Sequence, residues 1–135
     1  MEANILRNEH YAYLNQNQFN LITQSVETPE KQEFESFCFD TEDLQLWSQG
    51  YLLRVKHFVG HIYDMSLIHL ESKHYLKHEI ISPVSAEKIH KILFANLKDE
   101  SKNEGPLHSH LKSLTSDHLD RKSTRLNSSH RCLSR

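Results

Sequence analysis

Two stretches rich in apolar residues on either side of Gly60 constrain the fold of this chain more than any other feature. Residues 51–59 and 62–70 are predicted strands, and residues 53–56 within the first show the period of two that is typical of a strand with one buried face. Glycine tolerates the left-handed backbone of a tight turn, so we expect a β-hairpin around Gly60. The segment therefore predicts two neighbouring strands of an antiparallel sheet.

Further strands and helices are predicted on both sides of this hairpin. Strands are predicted for residues 19–28, 33–39 and 75–81. Helices are predicted for residues 7–17, 42–49, 86–98 and 106–114. Thr41 and Ser85 are suited to cap two of these helices, and Trp47 is expected to pack with Leu44 in the core. Because helices are inserted between strands without strict alternation, the order predicts an α+β fold.

The composition predicts a water-soluble protein of the cell interior. The chain has 135 residues, of which 37% are hydrophobic and 25% charged, and no apolar run is long enough to span a membrane. Two cysteines, Cys38 and Cys132, are too few for a disulfide framework, so we expect a reduced, cytoplasmic protein. The 11 histidines lack the spacing typical of a zinc site and are expected to lie mostly on the surface.

Residues 120–135 differ from the rest of the chain in charge. They carry five of the 16 basic residues and only one of the 18 acidic residues, a balance typical of an arm that binds nucleic acid or anionic lipid. Residues 120–130, however, read as the translation of one frame of a common sequencing-library adapter. We therefore expect a non-native, disordered tail at 120–135, a partial domain at 1–119, and no nucleic-acid or membrane partner.

Two cations on the predicted strand 51–59 are the first candidates for a binding site. Arg54 and Lys56 are two residues apart and so share one face of a strand, whereas Leu53 and Val55 share the other. Arginine offers a planar fork for phosphate oxygens and lysine a point charge, so the pair is suited to bind a polyanion. A half-buried strand whose polar face meets water gives the same pattern, and the periodicity leaves both interpretations open.

The surrounding residues resemble a known family. In order and spacing, the segments Phe39-Asp40-Thr41, Asp43-Leu44, Gly50 and Leu53-Arg54-Val55-Lys56 resemble the CYTH superfamily, and so does the later stretch from Glu79 to Ser85. These triphosphate tunnel metalloenzymes include thiamine triphosphatases and class IV adenylate cyclases. The resemblance implies an antiparallel β-barrel that encloses a triphosphate tunnel, with helices outside, of which this chain holds the N-terminal half.

The resemblance also implies roles for individual residues. Arg54 and Lys56 would bind the triphosphate, and Glu79 would be a tunnel-facing acid near a bound Mg²⁺ or Mn²⁺. Asp40 would either cap the helix beside Thr41 or support the mouth of the tunnel, and we expect capping. The full-length protein would then hydrolyse an inorganic or organic triphosphate with the help of the metal, and this partial chain would itself be inactive.

Two departures from the family pattern leave the function open. The family signature Glu-x-Glu-x-Lys has no intact copy here. Anchored on the following helix, it would fall at or before residues 1–3, where its pair of glutamates and its lysine are not found, and the alternative register, which begins at Glu2, places Asn4 and Leu6 in the remaining positions. Ile68 stands where the family usually has a lysine. The first alternative to an enzyme is a module that binds polyphosphate or nucleotide without catalysis, and the second is an α+β domain without a phosphate site.

Overall fold

The computed structural model describes residues 2–10, 15–25, 30–94, 97–99 and 101–131. Within these ranges the chain forms six strands and four helices. In chain order they are β1 (Ala3–His10), α1 (Gln16–Ser25), β2 (Glu30–Asp40), α2 (Gln45–Ser48), β3 (Tyr51–Phe58), β4 (Ile62–Ser72), β5 (Tyr75–Val84), α3 (Ala86–Phe94), α4 (Pro106–Leu114) and β6 (Asp120–Arg131).

The six strands form one antiparallel sheet in the order β1-β5-β4-β3-β2-β6. The predicted hairpin joins β3 to β4, and Gly60 and His61 form its turn with left-handed φ angles of 88° and 59°. The α+β class and the antiparallel sheet are thus confirmed. The predicted closure into a barrel is not seen, because among the described residues β1 and β6 each pair with one strand only.

One face of the sheet carries the hydrophobic core. Leu53 of β3, Met65 of β4 and Ile81 of β5 are all 0% exposed and lie on this face. They belong to one cluster with the buried side chains of α3 and α4, which include Ile92 and Leu111. The two helices therefore cover this face, and the side chains at alternate positions of the same strands are directed to the other.

The helices after the sheet begin as the sequence predicts. The hydroxyl of Ser85 accepts a hydrogen bond from the amide of Lys88 at 3.1 Å, which is the expected cap of α3. α3 is described over Ala86–Phe94, and α4 spans Pro106–Leu114. Residues 95–96 lie outside the described ranges, and residues 97–98 form a turn rather than the predicted end of α3. Across the described ranges, no helix has both the length and the apolar character that a membrane span requires.

The first two elements differ from their predicted types. Residues 7–10 belong to β1 rather than to a helix, and residues 19–25 belong to α1 rather than to a strand. Residues 11–14 and 26–29 lie outside the described ranges. α1 begins with a reciprocal cap: the Asn15 side chain accepts from the Gln18 amide, and the Gln18 side chain accepts from the Asn15 amide. This capping box outweighs the alternation of Phe19 and Leu21.

The segment that was expected to be a disordered tail also forms a strand. Residues 120–131 pair along the outer edge of β2, from Glu30 opposite Arg131 to Asp40 opposite Asp120. An edge strand offers a row of unpaired N–H and C=O groups, and pairing with it requires only an extended backbone. Residues 132–135 lie outside the described ranges, and the division of the chain after residue 119 stays a prediction.

Candidate functional site

A groove of about 430 Å³ lies on the sheet face opposite α3 and α4. Its lining includes Arg7 and Glu9 from β1, Arg54 and Lys56 from β3, and Phe34 from β2. Three strands separate β1 from β2 in the sheet, so the sheet must curve for both to line one groove. The groove is therefore the open trough of a curved sheet.

Arg54 and Lys56, the two predicted ligands, both line this groove. Arg54 lies opposite Ser66 and Cys38, and Lys56 lies opposite Asp64 and Ser36, so that the two cations share the face away from the helices. The Nζ atom of Lys56 is 4.6 Å from the centre of the Phe34 ring, a cation–π contact. Their role in phosphate binding remains a prediction, which this placement permits.

Arg54 is a cation with an unused donor. Its Nε atom is buried and has no hydrogen-bond partner among the described residues. Burial is the main cause that lowers the pKa of Arg54 below its ordinary value. A guanidinium nevertheless stays charged at neutral pH, so its lost hydration must be replaced by other favourable interactions. An anion in the groove would supply them.

Two further residues of the groove were missed from the sequence. Arg7 has a 45% exposed side chain, and its Nη2 atom lies 3.7 Å from Oε2 of Glu9. His78 lies opposite Arg7 in the sheet and is 2% exposed. Alternation could have indicated both, since Arg7 and Glu9 are two residues apart and His78 follows Leu76 by two. Arg7 was missed because a helix was predicted there, and His78 because the histidines were expected on the surface.

His78 is held in its neutral form. Burial, and to a lesser extent the charges of Arg7, Arg54 and Lys56, lower its pKa from 6.5 to about 4, although Glu9 opposes the shift. The nearest carboxylate oxygen, Oε2 of Glu9, is 3.6 Å from its Nε2 atom. Both ring nitrogens are buried without a hydrogen-bond partner among the described residues. The surroundings of His78 therefore disfavour a positive charge on its ring.

This lowered pKa predicts a dependence of stability on pH. Between pH 6.5 and pH 4 the unfolded chain binds a proton at His78 that the folded chain does not. The folded state therefore has its full stability with respect to His78 above pH 6.5. As the pH falls towards 4, the free energy of unfolding decreases by about 3 kcal/mol in total. Urea unfolding across this range should show a shallower pH dependence for His78→Gln than for the wild type. The exposed His90→Gln is the control, and equal slopes for His78→Gln and the wild type would contradict the prediction.

Glu79 does not face the groove, contrary to the role that the family resemblance implies. It lies opposite Leu67, which itself lies opposite Leu53, so all three share the face that the helices cover. Its carboxylate accepts a hydrogen bond from Nδ1 of His110 on α4. The other ring nitrogen of His110 is 3.2 Å from the hydroxyl of Tyr51. Glu79 therefore helps to join α4 to the sheet.

The residues of the groove do not fit a magnesium or manganese ion. Such ions need several oxygen ligands that converge on one point. The lining of the groove includes one carboxylate, that of Glu9, which lies beside Arg7 and His78, and the neighbouring Asp64 accepts a hydrogen bond from Ser82. In the part of the chain that the structure describes, no group of three or more His, Cys, Asp or Glu residues could hold a metal. The described residues therefore provide no set of ligands for the metal that the family resemblance implies.

The first strand explains part of this disagreement. In the register that begins at Glu2, the signature positions Asn4 and Leu6 lie opposite Ile81 and Glu79, on the helix-covered face. The residues of β1 that line the groove are instead Arg7 and Glu9. On its groove face β1 therefore presents one cation and one carboxylate, while the signature positions of this register lie on the opposite face.

Asp40 holds α2 at one end of the groove, and the expectation that it caps this helix is confirmed. Its carboxylate accepts hydrogen bonds from the amides of Leu46 and Trp47 at 2.9 and 3.0 Å, while Thr41 accepts from the amide of Gln45. Leu46 is the residue of α2 that enters the core, at 0% exposure. Trp47 was expected there but is 66% exposed and lines the groove. Leu44, which was expected to pack with Trp47 in the core, is 44% exposed as well.

Comparisons with known proteins support the fold. No protein-family model matches the sequence, and no curated protein matches it. Among solved structures, the chain is similar to the crystal structure of a "putative adenylate cyclase" from Bacillus halodurans, with a TM-score of 0.52 and 18% sequence identity. The match covers 89% of this chain and 61% of that protein, so the chain spans less than two thirds of its relative. The two proteins share a fold.

Proposed function

We propose that the groove binds a small phosphate-bearing anion, a polyphosphate or an organic phosphate, without the need for a metal. The observation that carries this proposal is the buried Nε of Arg54, which has no hydrogen-bond partner in the described part of the chain and lies in a groove with two other cations. Guanidinium groups bind phosphate oxygens through paired hydrogen bonds, and such charge-assisted bonds are about twice as strong as neutral ones. Arg54 would be the central ligand, with Lys56 and Arg7 on either side.

The balance of charge in the groove agrees with this proposal. The lining of the groove includes three basic side chains, those of Arg7, Arg54 and Lys56, and one carboxylate, that of Glu9. Because His78 is neutral above its lowered pKa, it adds no charge. The surplus is positive, which favours an anionic ligand. The fold relative is named as an adenylate cyclase, an enzyme class that acts on a nucleotide, and this is compatible with a phosphate ligand.

A metal-dependent triphosphate hydrolase is the second candidate. It is favoured by the block Leu53-Arg54-Val55-Lys56, whose two cations line the groove as they would line the tunnel of the CYTH superfamily. Hydrolysis would need carboxylates that hold Mg²⁺ or Mn²⁺, and these would have to come from residues other than those described. Phosphate release from tripolyphosphate in the presence of Mg²⁺ or Mn²⁺ would favour this candidate over the binder.

Titration calorimetry with tripolyphosphate, in EDTA and in Mg²⁺, tests the proposed function. We expect binding in EDTA that weakens as salt is added, because added ions screen the attraction between the groove and the ligand. Arg54→Ala should weaken this binding about ten- to hundredfold, since it removes hydrogen bonds to a charged ligand. Lys91→Ala, on the exposed side of α3, is the control and should bind as the wild type does. Equal affinity of Arg54→Ala and the wild type would refute the proposal.

A further inference from the structure

Beside its cations, the groove has an apolar wall. Leu52 lies opposite Ile68 in the sheet, and Leu70 lies opposite Leu76. These four side chains line the groove from three adjacent strands, and we refer to them as the aliphatic wall. Leu52 precedes Arg54 by two residues on the same face of β3, a distance of about 7 Å along a strand. The aliphatic wall is therefore in direct reach of a ligand whose phosphate is bound at Arg54.

Part of this apolar surface is left uncovered. Leu70 is 47% exposed, and Trp47, which lines the groove from α2, is 66% exposed. Ile68 is 5% exposed but does not belong to the core cluster on the other face, so it is buried at the bottom of the groove. An exposed apolar surface beside a positive charge is complementary to a ligand that has both an apolar part and an anionic part.

The wall favours an aliphatic partner over a nucleobase. A base presents amino and ring-nitrogen groups that lose hydrogen bonds to water when they are buried, unless the protein replaces them. The four side chains of the aliphatic wall offer no polar atoms, and the nearby hydroxyl of Tyr51 is already bonded to His110. The ring nitrogens of His78, opposite Ile68, are buried and so are not accessible to a base in the groove. A hydrocarbon chain has no such requirement and gains free energy from every methylene group that it buries.

We propose that the natural ligand of the groove is a phosphate ester of an aliphatic alcohol. Its phosphates would bind at Arg54 and Lys56, and its hydrocarbon chain would lie on the aliphatic wall and against Trp47. This inference rests on the proposed function and narrows it, because a bare polyphosphate would leave the aliphatic wall exposed to water. A nucleotide would cover the wall only at the cost of burying its polar base edges.

Calorimetry on the full 135-residue chain with two ligands of identical headgroup tests the inference. Geranyl diphosphate should bind about tenfold or more tightly than methyl diphosphate, since the longer chain buries several additional methylene-sized groups. ATP should bind no more tightly than tripolyphosphate. Arg54→Ala should weaken the binding of geranyl diphosphate as well. This result would show that the ester binds in the groove.

Two variants locate the hydrocarbon chain on the aliphatic wall. Leu70→Ser, at a half-exposed position, should remove most of the geranyl advantage and leave methyl diphosphate unaffected. Ile68→Lys should reduce the geranyl advantage and tighten the binding of tripolyphosphate. Because Ile68 is buried, thermal unfolding of this variant is measured first, and Leu70→Ser decides the question if it does not fold.

The outcomes separate this inference from the function on which it rests. Equal affinities for methyl and geranyl diphosphate, or a geranyl advantage that Leu70→Ser does not change, would overturn the aliphatic ligand and leave phosphate binding intact. The aliphatic ligand would also be overturned if ATP bound more tightly than tripolyphosphate by as large a factor as geranyl diphosphate binds more tightly than methyl diphosphate. Binding of none of these anions, or no effect of Arg54→Ala, would overturn the inference and the proposed function together.

Discussion

We expect Leu53→Ala to lower the free energy of unfolding by about 2–5 kcal/mol. Leu53 is 0% exposed at the centre of the sheet and belongs to the cluster that includes Met65, Ile81 and Ile92. Removal of three carbon atoms at this position loses their burial and leaves a cavity that a close-packed core closes only in part. Urea or thermal unfolding monitored by circular dichroism measures the loss.

The neighbouring Leu52→Ala is the matched control. It removes the same atoms from the next residue of β3, whose side chain lies on the groove face and is only partly buried. We expect it to cost about 1 kcal/mol or less, while it weakens the binding of geranyl diphosphate. If the two variants were equally destabilised, the assignment of the core to one face and the groove to the other would be wrong.

Asp40→Ala should be the most damaging change among the charged residues, with a loss of about 3 kcal/mol or more. Asp40 is 6% exposed, and its carboxylate accepts hydrogen bonds from the amides of Thr41, Leu46 and Trp47. Alanine leaves these donors without their acceptor, and an unsatisfied buried donor costs about 1–3 kcal/mol. A four-residue helix has little stability of its own to offset this loss.

The fluorescence of Trp47 reports this change directly. Trp47 is the single tryptophan of the chain, and its backbone amide donates a hydrogen bond to the carboxylate of Asp40. We expect Asp40→Ala to shift its emission before the sheet unfolds, because α2 loses its anchor. Asp43→Ala is the control, since Asp43 is exposed and accepts hydrogen bonds from the side chains of Thr41 and Gln45 rather than from the amides of α2 at positions 46 and 47. Similar shifts in both variants would contradict the anchoring role of Asp40.

Local patterns predicted the centre of the fold and failed at its start. The β3–β4 hairpin was predictable because two apolar-rich segments flank a glycine at its turn, and α3 was predictable because Ser85 precedes an apolar stripe. β1 was missed because it is an edge strand with almost no buried residue, so its sequence lacks the alternation that a buried face imposes. The start of α1 depended on the pair Asn15 and Gln18, a capping signal that the alternation of its apolar residues obscured.

The groove was predictable within one strand but not between strands. That Arg54 and Lys56 share a face follows from the period of two alone. Whether Glu79 shares that face depends on the pairing of β4 with β5, and this pairing includes register shifts between Tyr63 and Met65 and between Leu70 and Ser72. A shift of one residue exchanges the two faces of a strand. The sequence therefore could not decide between Glu79 and His78, and the structure places His78 in the groove.

The separation of core and groove on alternate residues has a practical consequence for redesign. Positions 52, 54 and 56 of β3 contribute to the groove, and positions 53 and 55 to the core. A library that randomises only the first set should retain most folded members while it samples new ligands. A library of equal size at the second set should lose most of its members to unfolding. Ligand specificity in this chain is thus free to evolve with little penalty to the scaffold.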